Sequence, residues 1–512
     1  MVFELDRHNG APLYQQIKQR IEALIAQGAL EPAERLPATR DLARTLGVNR
    51  NTVVKAYEDL EVEGKVRSGV GQGTFVAEFA APPDRARPSE PVPAPAADFE
   101  GVWSRASREL DDPEAEVFFD LVHRQPKGVT AMSSTLPDKT LFPMREFRNC
   151  AYYALQKHGA NLLDLGATQG FVPLLEYLPK YLSRHGLRLE PNHLIMTSGI
   201  QQGIDLVARV LVNPGDLVIC EELTYPKAIS VFRAAGAELV GIPIDHQGMS
   251  VEILDEVLAR RRPKLIYTIP TFHNPTGATL SVERRRRLLE LASRHRIPVL
   301  EDHYANDLRL DGAEVLPLAA MDRQGWVIAV GSLSKVLFHG LRVGWIATGL
   351  EPLRRRLIAM KQAADLQTGY LVQAIILEFM LRGYLEKYLK RRLAQLRARR
   401  EAMRRALRDY LGEPAWWYEV EGGPCYWLNL PPGVRADEAL LETRRRGVVF
   451  APRHLFAVHA ARNDALRLGF SDLDEAQIRH GVQVIGQVVR RLQAAVRRPG
   501  AAEEREYARV QV

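Results

Sequence analysis

Between residues 80 and 99, six prolines and six alanines fall in twenty positions, and almost nothing there can pack into a core. Proline fixes φ and has no N–H to donate, so a tract of this composition extends instead of folding. In polyproline geometry, at roughly 3.1 Å per residue, it reaches about 60 Å. Such a tract divides the chain of 512 residues into separate folding units. The expected parts are a small unit over residues 1–79, a tether with its lead-in over 80–127, and a large unit over 128–512 with a smaller subdomain from about 375.

Composition removes several function classes. At 46% hydrophobic residues, the chain has ample material for a large core. Cys150, Cys220 and Cys425 are odd in number, widely spaced and free of any CxxC pair, which argues against a disulfide framework or a zinc cluster and fits a reducing compartment. The N-terminal residues show no basic stretch followed by an apolar one, and no uninterrupted 18-residue apolar run occurs, so a cytoplasmic protein without a membrane span is expected. The net charge of +7 permits a nucleic-acid partner without requiring one.

In the small unit, Leu13, Ile17, Ile21, Leu24 and Ile25 recur at helical spacing and predict one amphipathic helix. Thr39 is placed to cap a second helix ending at Leu46. Gly47 turns the chain, and Asn49 caps a third helix that carries Val53, Val54, Tyr57 and Leu60 inward. Helix, tight turn and helix make the DNA-reading arrangement, and the β-prone runs around Gly69, Gly71 and Gly73 suit a two-stranded wing. The unit is not basic overall, with ten Lys/Arg against eleven Asp/Glu. Distribution matters more: residues 35–55 hold Arg35, Arg40, Arg44, Arg50 and Lys55 against Asp41 alone. A recognition helix enters the groove by its N-terminus, so Arg35, Arg40, Arg50, Asn51 and Thr52, with the wing's Gly71, Gln72 and Gly73, are the candidate DNA contacts.

LPATRDLARTLGVNRNTVVKAYEDLEVEGKVRSGVGQGTFV resembles the GntR-type winged-helix signature over nearly this whole unit. The resemblance implies an α+β winged helix-turn-helix bound to double-stranded operator DNA.

The large unit alternates β-prone runs (HLIMTS, DLVICEE, ELVGIPI, KLIYTIP, PVLEDHY, WVIAVGS) with helical stretches, which predicts an α/β domain with a mostly parallel sheet. Ligands of such sheets bind beyond the carboxyl ends of the strands. There stand Ser198, Gly199 and Ile200 at a helix start, Asn274 in HNPTG, Asp302 and Tyr304 in EDHY, and Ser332, Ser334, Lys335 and Arg342 in GSLSKVLFHGLRVGW. Together they suit pyridoxal 5′-phosphate. Its aldehyde needs a lysine amine, its ring nitrogen a carboxylate, its phenolate oxygen donors, and its phosphate N–H groups, hydroxyls and a cation.

TSGIQQGID, HNPTG, EDHY and SLSKVLFHGLRVG resemble the fold-type I, aspartate-aminotransferase-like family, which implies a PLP-dependent transferase-like α/β fold with a smaller α+β subdomain. By that resemblance Lys335 is the cofactor-linking lysine, Asp302 pairs with the ring nitrogen, and Asn274 and Tyr304 reach the phenolate oxygen. Tyr225 lies against the ring face, and Arg467 takes a substrate α-carboxylate. The match departs at Leu165, Leu175, His339 and Arg453, where the family often has tyrosine, arginine, proline and glycine; closure on a substrate is what these positions put in question, and Arg453 offers either a second substrate-side cation or a surface charge.

The two halves in this order resemble the MocR subfamily of GntR-type transcriptional regulators. That implies a head-to-tail homodimer with exchanged DNA-binding units, and a regulator that senses pyridoxal phosphate or an amino compound. The alternatives are a working aminotransferase with a DNA-binding appendage, or the same fold without cofactor. One further feature is local: residues 382–408 hold eleven Lys/Arg against two Asp/Glu. Either Leu385, Leu389, Leu393 and Leu396 pack while the cations stay solvated, or the helix is a second surface for the DNA backbone.

Overall fold

A computed structural model describes residues 3, 5–6, 12–69, 73–77, 103–111, 116–117, 120–121, 124, 126, 128–333, 335–459 and 462–496. The Pro/Ala tract, Gly71, Gln72 and Ser334 lie outside the described residues. The chain forms two compact units, Met1–Gly101 and Val102–Val512.

In the first unit, α1 (Leu13–Ala26) buries Ile17 and Ile21 against α3 (Arg50–Val62). Between them lies α2 (Thr39–Leu46), closed by Gly47 at φ 63°. That left-handed conformation favours glycine at the turn of a helix-turn-helix. Asn49 caps α3 as expected, its side chain accepting the Asn51 N–H at 2.9 Å. Thr39 does not cap α2: Ala38 holds the cap position in extended conformation, and Thr39 is the first helical residue. The Tyr57 hydroxyl donates to the Pro37 carbonyl at 3.0 Å, which ties this entry to α3. The wing is the antiparallel pair β1 (Val66–Gly69) and β2 (Gly73–Val76). Val66 and Val76 face one another in register and are buried with Leu42, Val53 and Leu60 in one small core.

In the second unit, a helix at Arg105–Leu110 is capped by Ser104 and packs on the helix Pro226–Ala234. The main sheet has seven strands: β3 (Leu194–Thr197), β4 (Leu217–Glu221), β5 (Glu238–Ile242), β6 (Leu265–Thr268), β7 (Val299–His303), β8 (Val327–Ser332) and β9 (Gly344–Ala347). Their spatial order is β3-β9-β8-β7-β6-β4-β5, parallel throughout except for β9, which runs against both its neighbours. Most of these strands read as largely apolar runs because both faces are covered, with β7 ending in the buried Glu301, Asp302 and His303. Alternate residues enter different cores: Leu194 and Met196 pack with the helix Val172–Leu182, whereas Ile195 packs with the helix Ile200–Leu211. The smaller part holds a four-stranded antiparallel sheet, including Cys425–Asn429 and Ala465–Gly469, beside the helices Tyr384–Tyr410 and Glu475–Val496.

The helix Tyr384–Tyr410 departs from the solvated-cation reading. Leu385, Leu389 and Leu396 are buried as expected, but so are Arg392 and Arg399. Most of the charge of this stretch is met inside the unit: Arg382 pairs with Glu378, Arg399 with Asp138, Arg400 with Asp311, Arg405 with Glu475, and Arg404 and Arg408 with Glu419. Arg397 donates to the Leu310 carbonyl at 2.9 Å. Lys387, Lys390 and Arg391 remain as exposed cations with neither a carboxylate nor a carbonyl partner among the described residues.

Candidate functional site

The carboxyl ends of β3, β6, β7 and β8 open onto a cavity of about 540 Å³, within the range of roughly 300–1,000 Å³ that suits a cofactor. Nine of the residues singled out from sequence line it: Ile200, Tyr225, Asn274, Asp302, Tyr304, Ser332, Lys335, Arg342 and Arg467. They come from six stretches of the chain; most follow a strand of the main sheet, while Arg467 stands within the strand Ala465–Gly469 of the smaller sheet.

Asp302 is the penultimate residue of β7, at 2% exposure. One carboxylate oxygen, Oδ2, accepts the Tyr267 hydroxyl at 2.8 Å, while the other, Oδ1, is buried with no hydrogen-bond partner. Burial pushes this carboxyl up to about 7, against the opposing pull of the Tyr267 hydroxyl and His303. A buried acceptor left open in this way costs free energy unless a ligand donor meets it. A protonated ring nitrogen is such a donor.

Lys335 follows β8 and donates to the Thr135 hydroxyl at 3.1 Å. Burial, then the cations of Arg467 and Arg392, push its amine down to about 7, so a large share of it is an uncharged nucleophile at neutral pH. Arg467 stands on the strand Ala465–Gly469 at 1% exposure, donating to Asn274 Oδ1 at 2.8 Å and to the Ser133 carbonyl at 2.7 Å. Tyr304 donates to the Phe272 carbonyl at 2.6 Å. Ser332 donates from its hydroxyl to the Val343 carbonyl at 3.2 Å.

Ser198 and Gly199 form the turn before the helix Ile200–Leu211 but are not among the lining residues. Gly199 has φ 86°, and a Cβ there would lie 2.8 Å from the Arg342 guanidinium, which itself donates to the Ser198 carbonyl at 2.5 Å. The Ser198 N–H, expected to be open to a phosphate, donates instead to Gln202 Oε1 at 2.7 Å. The turn therefore offers its glycine, the helix start and Arg342, with Gln202 holding one donor.

The departures resolve individually. Leu165 is 67% exposed, Leu175 is a core residue, and His339 lines the cavity. Arg453 is not a cavity cation: Asp464 at 3.0 Å and Glu222 hold it elsewhere. Tyr267, Thr135, Arg392 and Gln202 were missed. Only Tyr267 left a trace, as a polar-tipped ring inside an otherwise apolar strand; the others depend on tertiary neighbours.

In the first unit, Arg50 and Asn51 are exposed and Thr52 half-exposed at the start of α3, with Arg40 and Arg44 exposed on α2. Gly73 begins β2 at φ 102°, and its Cβ position lies 2.8 Å from the Arg35 guanidinium, which is exposed beside the wing. The acids follow at the far end of α3, where Glu63 takes Lys18 at 2.5 Å and Glu61 the Ser68 N–H at 2.7 Å. Cations at the groove-entering end and acids at the other match the docking polarity of a recognition helix. No helix among the described residues is long and apolar enough to cross a membrane, and among them no cluster suits a metal ion.

The pH response of Asp302 is testable on cofactor-free protein. Its folded value lies above the ordinary carboxylate value, so the native state keeps a proton that the unfolded chain has lost. Stability therefore falls as pH rises from about 4 through about 7. Asp302→Asn removes this penalty, and denaturant unfolding should show its advantage over the wild type widening between pH 5 and pH 8. A constant gap would contradict the burial argument.

Comparison with known proteins identifies the family of each unit. The aminotransferase class I and II profile matches residues 146–485, and the profile of bacterial regulatory proteins of the gntR family matches residues 13–76. The aromatic-amino-acid aminotransferase 1 of Thermococcus litoralis is 34% identical over 79% of this chain and 98% of its own. The HTH-type transcriptional regulator TauR of Rhodobacter capsulatus is 31% identical over 93% of this chain and 96% of its own. Among solved structures, the α-aminoadipate aminotransferase LysN of Thermus thermophilus, complexed with N-(5′-phosphopyridoxyl)-L-leucine, superposes with a TM-score of 0.72 at 29% identity. It covers 78% of this chain and 100% of its own.

Proposed function

Because the chain belongs to the aminotransferase class I and II family and carries a gntR-family DNA-binding domain ahead of it, in the MocR arrangement, we propose that it is a transcriptional regulator whose operator binding answers to pyridoxal phosphate or to an amino compound captured with it. One observation carries this reading: a single chain exposes Arg50 and Asn51 at an Asn49-capped recognition helix and also gathers Lys335, Asp302 and Arg467 around one cavity.

The cofactor supplies an electrophilic carbonyl that amines capture. Lys335 brings the amine, kept largely uncharged by burial and by the neighbouring guanidinium groups. Asp302 holds a proton on the ring nitrogen through its open Oδ1, while Tyr267 fixes the other oxygen. Tyr225 would cover the ring face, and Asn274 and Tyr304 would serve the phenolate oxygen. Ser332, Arg342 and the helix start at Gly199–Ile200 would take the phosphate, the Ser198 N–H being held by Gln202. Arg467, already planar and held by Asn274 and the Ser133 carbonyl, meets a ligand carboxylate in bidentate fashion.

In this reading residues 80–127 are the tether with its lead-in, the lead-in helix Arg105–Leu110 already packing on the second unit, and two chains pair head to tail in the cytoplasm, so that two recognition helices address two operator half-sites. Ligand that favours one dimer conformation shifts the population toward it, and only differential affinity does so. The enzyme alternative is met by incubating cofactor-loaded protein with amino acids and 2-oxo acids. The expected outcome is one spectral change per site without sustained product formation; rapid multiple turnover would make the chain an aminotransferase first.

A further inference from the structure

The basic helix Tyr384–Tyr410 places one of its arginines where neither DNA nor solvent reaches. Arg392 is 2% exposed, and its Nη1 donates to the backbone carbonyls of Lys335 and, at 2.8 Å, Val336. Its Nη2 is buried without a hydrogen-bond partner, and no carboxylate lies within ion-pair distance of the group among the described residues. A buried guanidinium with that environment is a costly way to fill space, since an apolar side chain of similar length would pack there at less cost. What it supplies is a pair of donors to a turn, next to the amine that the turn presents.

We propose that Arg392 is a positioning residue for the cofactor-linking lysine: it grips the Lys335 turn by its two carbonyls and sets the charge that the Lys335 amine faces. This rests on the cofactor reading above. It also gives the small subdomain a direct hold on the lysine, because Arg399, two turns further along the same helix, grips the Ser471 carbonyl and pairs with Asp138 at 2.5 Å.

The groups facing the Lys335 amine are Thr135, the cations Arg467 and Arg392, and Cys425 and Asp472. Those facing Arg392 are Tyr388 on its own helix, Asp307 and Arg399. Taking away the Arg392 cation removes one of two positive neighbours from the amine, so the amine should hold its proton to higher pH.

The test uses full-length protein with Arg392→Met, Arg392→Gln and Arg392→Lys. Amine acylation of Lys335 is followed against pH in cofactor-free protein by peptide mass spectrometry. In parallel, cofactor-loaded protein is titrated through its visible absorption. Arg392→Met and Arg392→Gln should both move the Lys335 midpoint upward by roughly one pH unit and weaken pyridoxal phosphate binding about tenfold, while Arg392→Lys stays near the wild type. Glutamine keeps a donor for the carbonyls, so it decides the matter should the methionine variant fail to fold. An unmoved midpoint in the neutral variants, with only a lowered melting temperature, would overturn the proposal and leave Arg392 a packing residue. Failure of the wild type to develop any visible band with added pyridoxal phosphate would instead strike the cofactor reading, and the acylation profile would still judge Arg392.

Discussion

Replacing Lys335 with alanine should abolish the visible absorption that pyridoxal phosphate acquires on binding, whereas Lys227→Ala, at the other lysine lining the cavity, should leave it intact. Lys335 is the lysine that burial and two guanidinium neighbours hold down to about 7, and its turn is gripped from behind by Arg392. A covalent bond to the aldehyde needs an uncharged amine, and Lys335 supplies one at neutral pH. Asp302→Asn should keep the band but weaken cofactor binding by on the order of 100-fold, since removing one partner of a buried charge pair costs about 3 kcal/mol. A band that survives in Lys335→Ala and disappears in Lys227→Ala would move the cofactor to the wrong side of the cavity and undo the assignment.

The second large effect belongs to the other unit. Arg50→Ala or Asn51→Ala should each weaken binding to the cognate operator by about 1–3 kcal/mol, roughly 5- to 150-fold. Both stand exposed at the N-terminus of α3, whose start Asn49 caps by accepting the Asn51 N–H. Arg40→Ala combined with Arg50→Ala should lower the slope of log affinity against log salt by about two, one for each phosphate contact removed. Charge reversal at Lys387, Lys390 and Arg391 is the matching control. The other cations of that helix are held by carboxylates or carbonyls of their own unit, which leaves these three as the ones a second DNA surface would use; with the winged helix as the DNA reader, their reversal should leave affinity and salt slope at wild-type values. Loss of operator binding in that triple variant, with Arg50→Ala silent, would relocate the DNA surface.

The contrast between those two cation sets shows what a linear sequence conveys. Around Arg50 the local pattern was enough: a capping asparagine, a turn glycine at φ 63° and a one-sided run of cations are short-range features, and the structure holds each in place. The strand ends that carry Asp302 and Lys335 were legible for a related reason, since alternating strands and helices deliver successive loops to one edge of a parallel sheet. Charge counting along residues 382–408 misjudged its helix, because Arg392 and Arg399 are buried and bond to Lys335, Val336, Asp138 and Ser471, between 56 and 261 positions away in sequence. Tyr267 was hidden the same way: strand periodicity places it inside, but only the folded sheet brings it beneath Asp302. Thr39 was read one residue too far inward: Ala38 holds the cap position without a side-chain bond, and the Tyr57 hydroxyl ties the entry at the Pro37 carbonyl. At the phosphate turn the expectation of open N–H groups failed at Ser198, where Gln202 reaches back one helical turn.

The central claim is that occupancy of the Lys335 cavity changes how the winged helix meets DNA. It is tested most directly by titrating operator DNA with the full-length protein in its cofactor-free form, with pyridoxal phosphate, and with pyridoxal phosphate plus each of a panel of amino compounds, at one fixed salt concentration. The account predicts that at least one of these ligands shifts operator affinity by about 5- to 150-fold, and that Lys335→Ala binds DNA normally but loses the shift. Identical operator affinity in every ligand state, with the cavity demonstrably filled, would contradict it.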